Sequence, residues 1–377
     1  MSEPLPNTVS IVDVAEEVAT IETCIPVTAR FAGDPGGIRR ARSMNPFLGW
    51  NSARFASRVY RVRDVVLDRS LMVLLKDGRV IAETNYLQPE AAIAAARVHP
   101  DRLVRLDGSM AVAICFDHWD ANYYHWMAHT VPTVHAVQQR HPKRDIRLAL
   151  PGLHPWQRKS LELLGASDWP SIVTELEGQY LIPVAEYYDF VAGRADFAIS
   201  PLSHSAYMRM SAGVGTCAPP HRRLYLDRSG QANRRLPNEP ALLALLRRRG
   251  FHTVRPEQLG LEEQIALFKG AGMVVGQLGA GLANIAFCRP GTVVYELVPE
   301  HHQNLCFLAM ALQGGLQYWA DVFPTGVIGG DHTSAWAADI DIGHVVSRID
   351  HLTPLIPPAS SAAGRTGWAG RIRSSRS

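Results

Sequence analysis

What the chain lacks sets the first limits. No apolar run approaches the ~18 to 20 residues that crossing a bilayer requires. Asp13, Glu16, Glu17 and Glu22 occupy the region where a signal peptide would have its apolar core. Cysteine is sparse: Cys24, Cys115, Cys217, Cys288 and Cys306 are scattered, odd in number and free of any C-x-x-C pair. Such spacing indicates neither a zinc knuckle nor a disulfide framework, and it fits a reducing, cytoplasmic setting. Charge is also scarce. Only 19% of residues are charged and the formal net charge is +3, too little to argue for nucleic acid as a partner.

What is present reads as a globular chain. Its 377 residues, 47% of them hydrophobic, suffice for two domains of ordinary size. Residues 1–45 lack strong periodicity and are rich in Pro and Gly, so they are expected to form a flexible arm. Residues 46–212 mix a β-hairpin around Asp77-Gly78 with βαβ-like alternation. A Gly/Ala/Pro-rich stretch at 213–220 reads as a linker, and 221–350 alternates short apolar runs with amphipathic segments. That rhythm predicts an α/β fold with a mainly parallel, doubly wound sheet. The remainder, 351–377, is expected to be a disordered basic tail.

The chain is organised around residues 273–287. An apolar run leads into Gly276, Gly279 and Gly281, and residues 282–287 then resume helical character. A strand, a bare loop and a helix start leave free N–H groups at a positive dipole end, with no Cβ atoms to hold an anion away. The spacing G-x-x-G-x-G matches neither the dinucleotide fingerprint nor the Walker loop, and tight strand–helix packing is the competing explanation. A second apolar run at 292–298 carries Glu296 near its end, where ligands of open α/β sheets bind. Arg228, at the end of the 223–226 run, and Arg234 or Arg235 in the following loop have guanidinium forks suited to phosphate. Asn238 reads as an N-cap for the next helix.

In the N-terminal half, residues 120–129 bunch polar and aromatic side chains where a loop meets a helix. His125 and His129 are four apart and would share a helical face. Trp126 follows His125 where a zinc-protease helix has Glu, and no third ligand has recognisable spacing, so no metal is expected. A single histidine, His125, acting as general base is the functional reading. Packed structural histidines are the alternative, for His129, His118 and His135 above all.

These blocks occur in one order: Asn122-Tyr-Tyr-His-Trp126, then Tyr225-Leu-Asp-Arg228 with Arg234-Arg-Leu-Pro-Asn-Glu239, then Gly279-Ala-Gly-Leu-Ala-Asn284 and Tyr295-Glu296. Over roughly 45–320 the chain resembles glycosyltransferase family 61. That family holds plant xylan-modifying transferases, animal O-linked N-acetylglucosaminyltransferases and bacterial proteins of capsular polysaccharide synthesis. The resemblance implies a GT-B-like architecture, two facing Rossmann-like domains with the active site in the cleft between them. It also implies inverting, metal-independent transfer from a nucleotide sugar, UDP-linked by expectation, to a glycan or polysaccharide acceptor. Gly279, Ala280, Gly281 and Asn284 would hold the donor diphosphate with Arg228, Arg234 and Arg235. Glu296 would take donor hydroxyls, and His125 would deprotonate the acceptor beside Asn122, Tyr124, Trp126 and His129. One position departs: the family commonly has His before Gly279, and here Leu278 stands there. A non-catalytic nucleotide- or sugar-binding protein, and a nicotinamide-dependent oxidoreductase, are the rival readings. Arg365, Arg371, Arg373 and Arg376 leave peripheral membrane association open, and the oligomeric state is unreadable.

Overall fold

The computed structural model describes residues 7–24, 55–194, 196–216, 222–230, 236–300, 302–324, 326–327, 336–337 and 340–357. Two large sheets organise them, and the chain is mixed α/β.

The first sheet comprises β1 (Thr8–Val9), β2 (Ala15–Cys24), β3 (Phe55–Asp68), β4 (Val73–Lys76), β5 (Arg79–Ile81), β6 (Leu103–Arg105), β7 (Ala111–Ile114), β8 (Ile146–Leu150), β9 (Ser171–Val173) and β10 (Gln179–Tyr188). Its order is β1-β5-β4-β3-β10-β7-β8-β9, with β2 also on β3 and β6 also on β10. The β4–β5 hairpin turns at Asp77-Gly78 as expected, both residues having positive φ. From β10 to β9 the pairing is parallel. Strands β7 and β8 are apolar runs buried on both faces, as parallel strands covered by helices must be.

The second sheet is wholly parallel: β11 (Arg222–Leu226), β12 (Phe251–Val254), β13 (Ala271–Gln277), β14 (Val293–Pro299) and β15 (Gln317–Phe323), in the order β12-β11-β13-β14-β15. The chain steps from β11 outward to β12, then returns to the other side of β11 for β13. The strand ends of β11 and β13 therefore flank a topological switch point.

Helix Tyr123–His125 continues as a π-turn over Trp126–Thr130 and as α-helix over Val131–Arg140. Pro132 explains the irregularity, since it has no N–H for the carbonyl one turn back and a widened turn absorbs the missing bond. Helix Pro155–Leu164 ends at Gly165, whose φ of 75° makes a left-handed stop. One apolar cluster runs through both halves and joins Trp126 and Val131 to Leu282 and Phe287. Tyr207 of helix Pro201–Ser211 packs on Phe287 at 6.2 Å between ring centroids.

The loose N-terminal arm needs correction for residues 8–24. Strand β2 pairs antiparallel with β3 along its length. Its acids have partners: Glu16 pairs with Arg63 at 2.7 Å and Glu17 with Arg140 at 2.6 Å. Glu22 accepts from the Leu202 N–H at 2.9 Å and from the Ser200 hydroxyl, at the start of helix Pro201–Ser211. Residues 25–54 lie outside the described ones. So do 217–221 of the expected linker and the tail beyond 357. A helix at Ile342–Leu352, which the sequence pattern did not announce, packs through Val345, Ile349 and Leu352. Among the described residues no helix is long and apolar enough to cross a membrane.

Candidate active site

A cavity of about 620 Å³ opens at the switch point of the second sheet. On one side lie the ends of β11, β12 and β13, contributing Arg228, Pro256, Glu257, Gln277 and the glycine junction from Gly279 to Leu282. Facing them are Ala121, Asn122, Tyr123 and Trp156 from the first-sheet half. Asn122 caps the helix it precedes, its side-chain oxygen accepting from the Tyr124 N–H at 2.9 Å. That helix therefore aims its positive end at the cavity.

Glycine at 279 lies directly against the Arg228 guanidinium, a flexible side-chain end that would have to shift for a larger residue. Its backbone is extended, so conformation does not demand it. A Cβ there would overlap the Arg228 guanidinium, coming within 3.0 Å of Cζ. Arg228 and the glycine junction, 51 positions apart in the numbering, thus form one surface at the strand ends. Gly281 is under no such pressure, since a Cβ there would stand 3.4 Å from Pro256, an ordinary contact. Residues 280–287 form a 3-10 helix.

Asn284 lines the cavity, but its amide is fully engaged. Its oxygen accepts from Tyr123 Oη at 2.7 Å, and its Nδ2 donates to Gln264 Oε1 at 2.9 Å and to the Gly281 carbonyl at 3.1 Å. It fastens the glycine junction to the helix that carries His125. Arg234 and Arg235 lie outside the described residues. Asn238 sits at the N-cap position of the next helix without capping it: its Nδ2 donates to the Ile340 carbonyl at 2.7 Å, and its oxygen has no partner among the described residues.

Glu296 is not on the cavity wall. Strand β14 continues to Pro299, so Glu296 lies mid-strand, paired in register with Gly276 and fully buried. Burial pushes its carboxyl up to about 8, with the Tyr318 hydroxyl, donating at 2.5 Å, only partly offsetting this. The acid that does reach the wall is Glu257, just past β12. Leu278 is buried and likewise absent from the wall.

Beside the cavity, the loop after β7 delivers Asp117 to the histidine helix. Asp117 Oδ2 meets Nδ1 of His125 at 2.8 Å and Nδ1 of His129, while Oδ1 accepts from the Trp119 N–H at 2.7 Å. His129 Nε2 bonds Asp196 Oδ1 at 2.6 Å, and Asp196 Oδ2 accepts from Tyr86 Oη at 3.1 Å. Burial works to raise the Asp117 carboxyl, yet the hydrogen bonds from both histidines hold it well below the usual carboxylate range. For His129 burial favours the neutral ring, but Asp196 and Asp117 outweigh it and lift the imidazole to about 10. His129 is thus an imidazolium between two carboxylates.

His125 is different. Its Nδ1 is held by Asp117, and among the described residues its Nε2 has no hydrogen bond. The side chain retains 12% exposure beside Trp119, whose ring centroid is 4.6 Å away. Tyr124 packs against Phe307, His125 and His129. Trp126, expected at the cleft, is instead core, fully buried with Nε1 donating to Ser160 Oγ at 2.7 Å. Asp117, His125 and His129 could together hold a cation, their ligand atoms lying within 4.8 Å of one another. Both nitrogens of His129 are already committed to carboxylates, so this arrangement suits proton handling better than metal binding.

The segment from Tyr123 to Tyr295 therefore holds the histidine helix, the Arg228 strand end and the glycine junction. Residues 123–295 match the family model Glycosyltransferase 61. The match, over just under half of the chain, supports family 61 and suggests a glycosyltransferase. It begins one residue after the Asn122 cap and ends one residue before Glu296. No curated protein matches the chain. Sequence reasoning toward family 61 missed Asp117, Asp196, Glu257 and Gln277. Asp117 stands five residues before the Asn122 block, and that proximity was the one available signal.

Proposed function

We propose that the chain is an inverting, metal-independent glycosyltransferase, working between two lobes arranged in GT-B fashion, of which residues 46–212 are the acceptor side and 221–350 the donor side. The observation that carries this reading is Arg228 laid against the bare backbone of Gly279, at the switch point of a parallel sheet and on the wall of a cavity between the halves. A diphosphate is the ligand class such a surface fits. Main-chain N–H groups and a fixed guanidinium neutralise the charge that builds on the leaving pyrophosphate. Glu257 takes the part first given to Glu296, accepting from donor hydroxyls.

In the transfer, His125 Nε2 removes the acceptor hydroxyl's proton as that oxygen attacks the anomeric carbon opposite the leaving diphosphate. Asp117 holds the Nδ1 proton and so leaves Nε2 as the basic nitrogen. His129, pinned between Asp117 and Asp196, fixes the carboxylate that orients His125. A polysaccharide of capsular type is the acceptor class that the family resemblance favours, with a uridine-linked donor.

Calorimetry with nucleoside diphosphates tests this. The wild-type protein should bind at least one of them with chelator present, and Arg228→Ala should weaken that binding by about 10- to 100-fold. Equal affinity in the variant, or binding restored only by a divalent ion, would overturn the proposed donor site.

A further inference from the structure

Among the described residues the other fully buried carboxamides, Gln157, Gln179, Gln264 and Asn284, are satisfied, and the less buried Gln138, Asn238, Gln303 and Gln313 each leave only the oxygen unmet. Gln179 accepts from the His99 N–H at 2.6 Å and donates to Asp68 and to the Arg97 carbonyl. Gln157 accepts from the His154 N–H at 2.8 Å and donates to the Asp120 carbonyl at 2.7 Å. Gln264 and Asn284 satisfy each other and neighbouring carbonyls. Gln277 breaks the rule. It is 3% exposed, and neither its Oε1 nor its Nε2 has a hydrogen-bond partner among the described residues. No other side chain there leaves two such atoms unmet. It ends β13, two residues before Gly279, and it lines the cavity.

A buried amide without partners is destabilising, and an apolar side chain of the same shape would be tolerated better. We propose that Gln277 is a specificity residue of the donor site that binds a pair of neighbouring hydroxyls on a sugar ring attached to the diphosphate. The inference rests on the donor-site reading above and adds what is recognised there. A carboxamide offers one acceptor and two donors without charge, and a vicinal diol complements it because each hydroxyl both donates and accepts. With the diphosphate on Gly279 and Arg228, the rings adjoining it are the ribose and the transferred sugar. Both carry such diols, whereas the nucleobase lies one ring further away.

Gln277→Leu separates this from a structural role, because the two readouts move in opposite directions. Its unliganded melting temperature should equal or exceed that of the wild type, while its affinity for a nucleotide sugar falls about tenfold or more by calorimetry. Uridine diphosphate, its 2′-deoxy form and the matching uridine-linked sugars are the probes, with the guanosine set run in parallel. The ribose is the partner if the variant also loses affinity for the diphosphate and the wild type loses as much toward the deoxy form. The transferred sugar is the partner if both proteins bind the diphosphate equally and differ only toward nucleotide sugars. Equal affinities throughout would overturn the assignment, as would a lowered melting temperature without an affinity change. So would a loss toward the diphosphate that removing the 2′-hydroxyl does not reproduce in the wild type. A wild-type protein that binds no nucleotide would remove the donor site itself and this assignment with it.

Discussion

Two polar assemblies lie on either side of the helix start at Asn122, and they are built on opposite principles. The chain of Tyr86, Asp196, His129, Asp117 and His125 closes on itself, each ring nitrogen paired except His125 Nε2. At the strand ends across the cavity, Gln277 keeps both amide atoms unmet and Gly279 leaves its backbone bare against Arg228. A self-satisfied network fixes one nitrogen for proton transfer at little reorganisation cost. An unsatisfied surface is held ready for a ligand and sacrifices stability until one arrives. The difference teaches where to look for chemistry and where to look for recognition.

The largest effect should come from removing the one unpaired nitrogen. His125→Ala is expected to lower turnover by about 10² to 10⁴ while leaving nucleotide affinity unchanged by calorimetry. A fall in affinity as large as the fall in turnover would merge the two assemblies into one.

A smaller effect probes the closed network by pH. The raised His129 favours the folded state fully below its unfolded value near ~6.5 and ceases to do so as pH rises through about 10. Asp196→Asn removes one of its two carboxylates and lowers the folded-state value, so the loss of melting temperature that sets in near pH ~6.5 should be smaller than in the wild type and level off at lower pH. Superimposable profiles would mean that His129 is not held charged.

Least should follow from Glu296→Gln. A carboxyl lifted to about 8 resists ionisation in the folded chain but not in the unfolded one, so wild-type stability declines as pH rises from ~4.5 through 8 and then levels. The amide lacks that decline. Its melting temperature should gain on the wild type between about pH 5 and 8, with nucleotide affinity altered less than about twofold. A tenfold affinity loss would return Glu296 to the donor site.

The legible parts of this fold were those governed by local rules. The Asp77-Gly78 turn and the alternation of strands and helices after residue 221 were readable because turn chemistry and hydrophobic period both act within a few residues. Glu296 misled because an apolar run does not say where its hydrogen bonds stop, and β14 reaches Pro299. Trp126 belonged to a polar-looking block, yet the widened turn before Pro132 places it in the core. Gln277 looks like any strand terminus, and its significance appears only when its missing partners are sought. Asp196 lies 67 positions beyond the histidine it holds, and nothing local connects them.

Strand β10 lies between β3 and β7, and Glu22 has no helix start to bind before Leu202 exists. During synthesis the first half of the protein therefore cannot complete its central sheet until residue 188 has left the ribosome, nor secure its opening strand until some 14 residues more have followed. Residues 8–24, the earliest described segment to emerge, are among the last to acquire all their partners, so the nascent chain passes through a long interval with an open sheet edge.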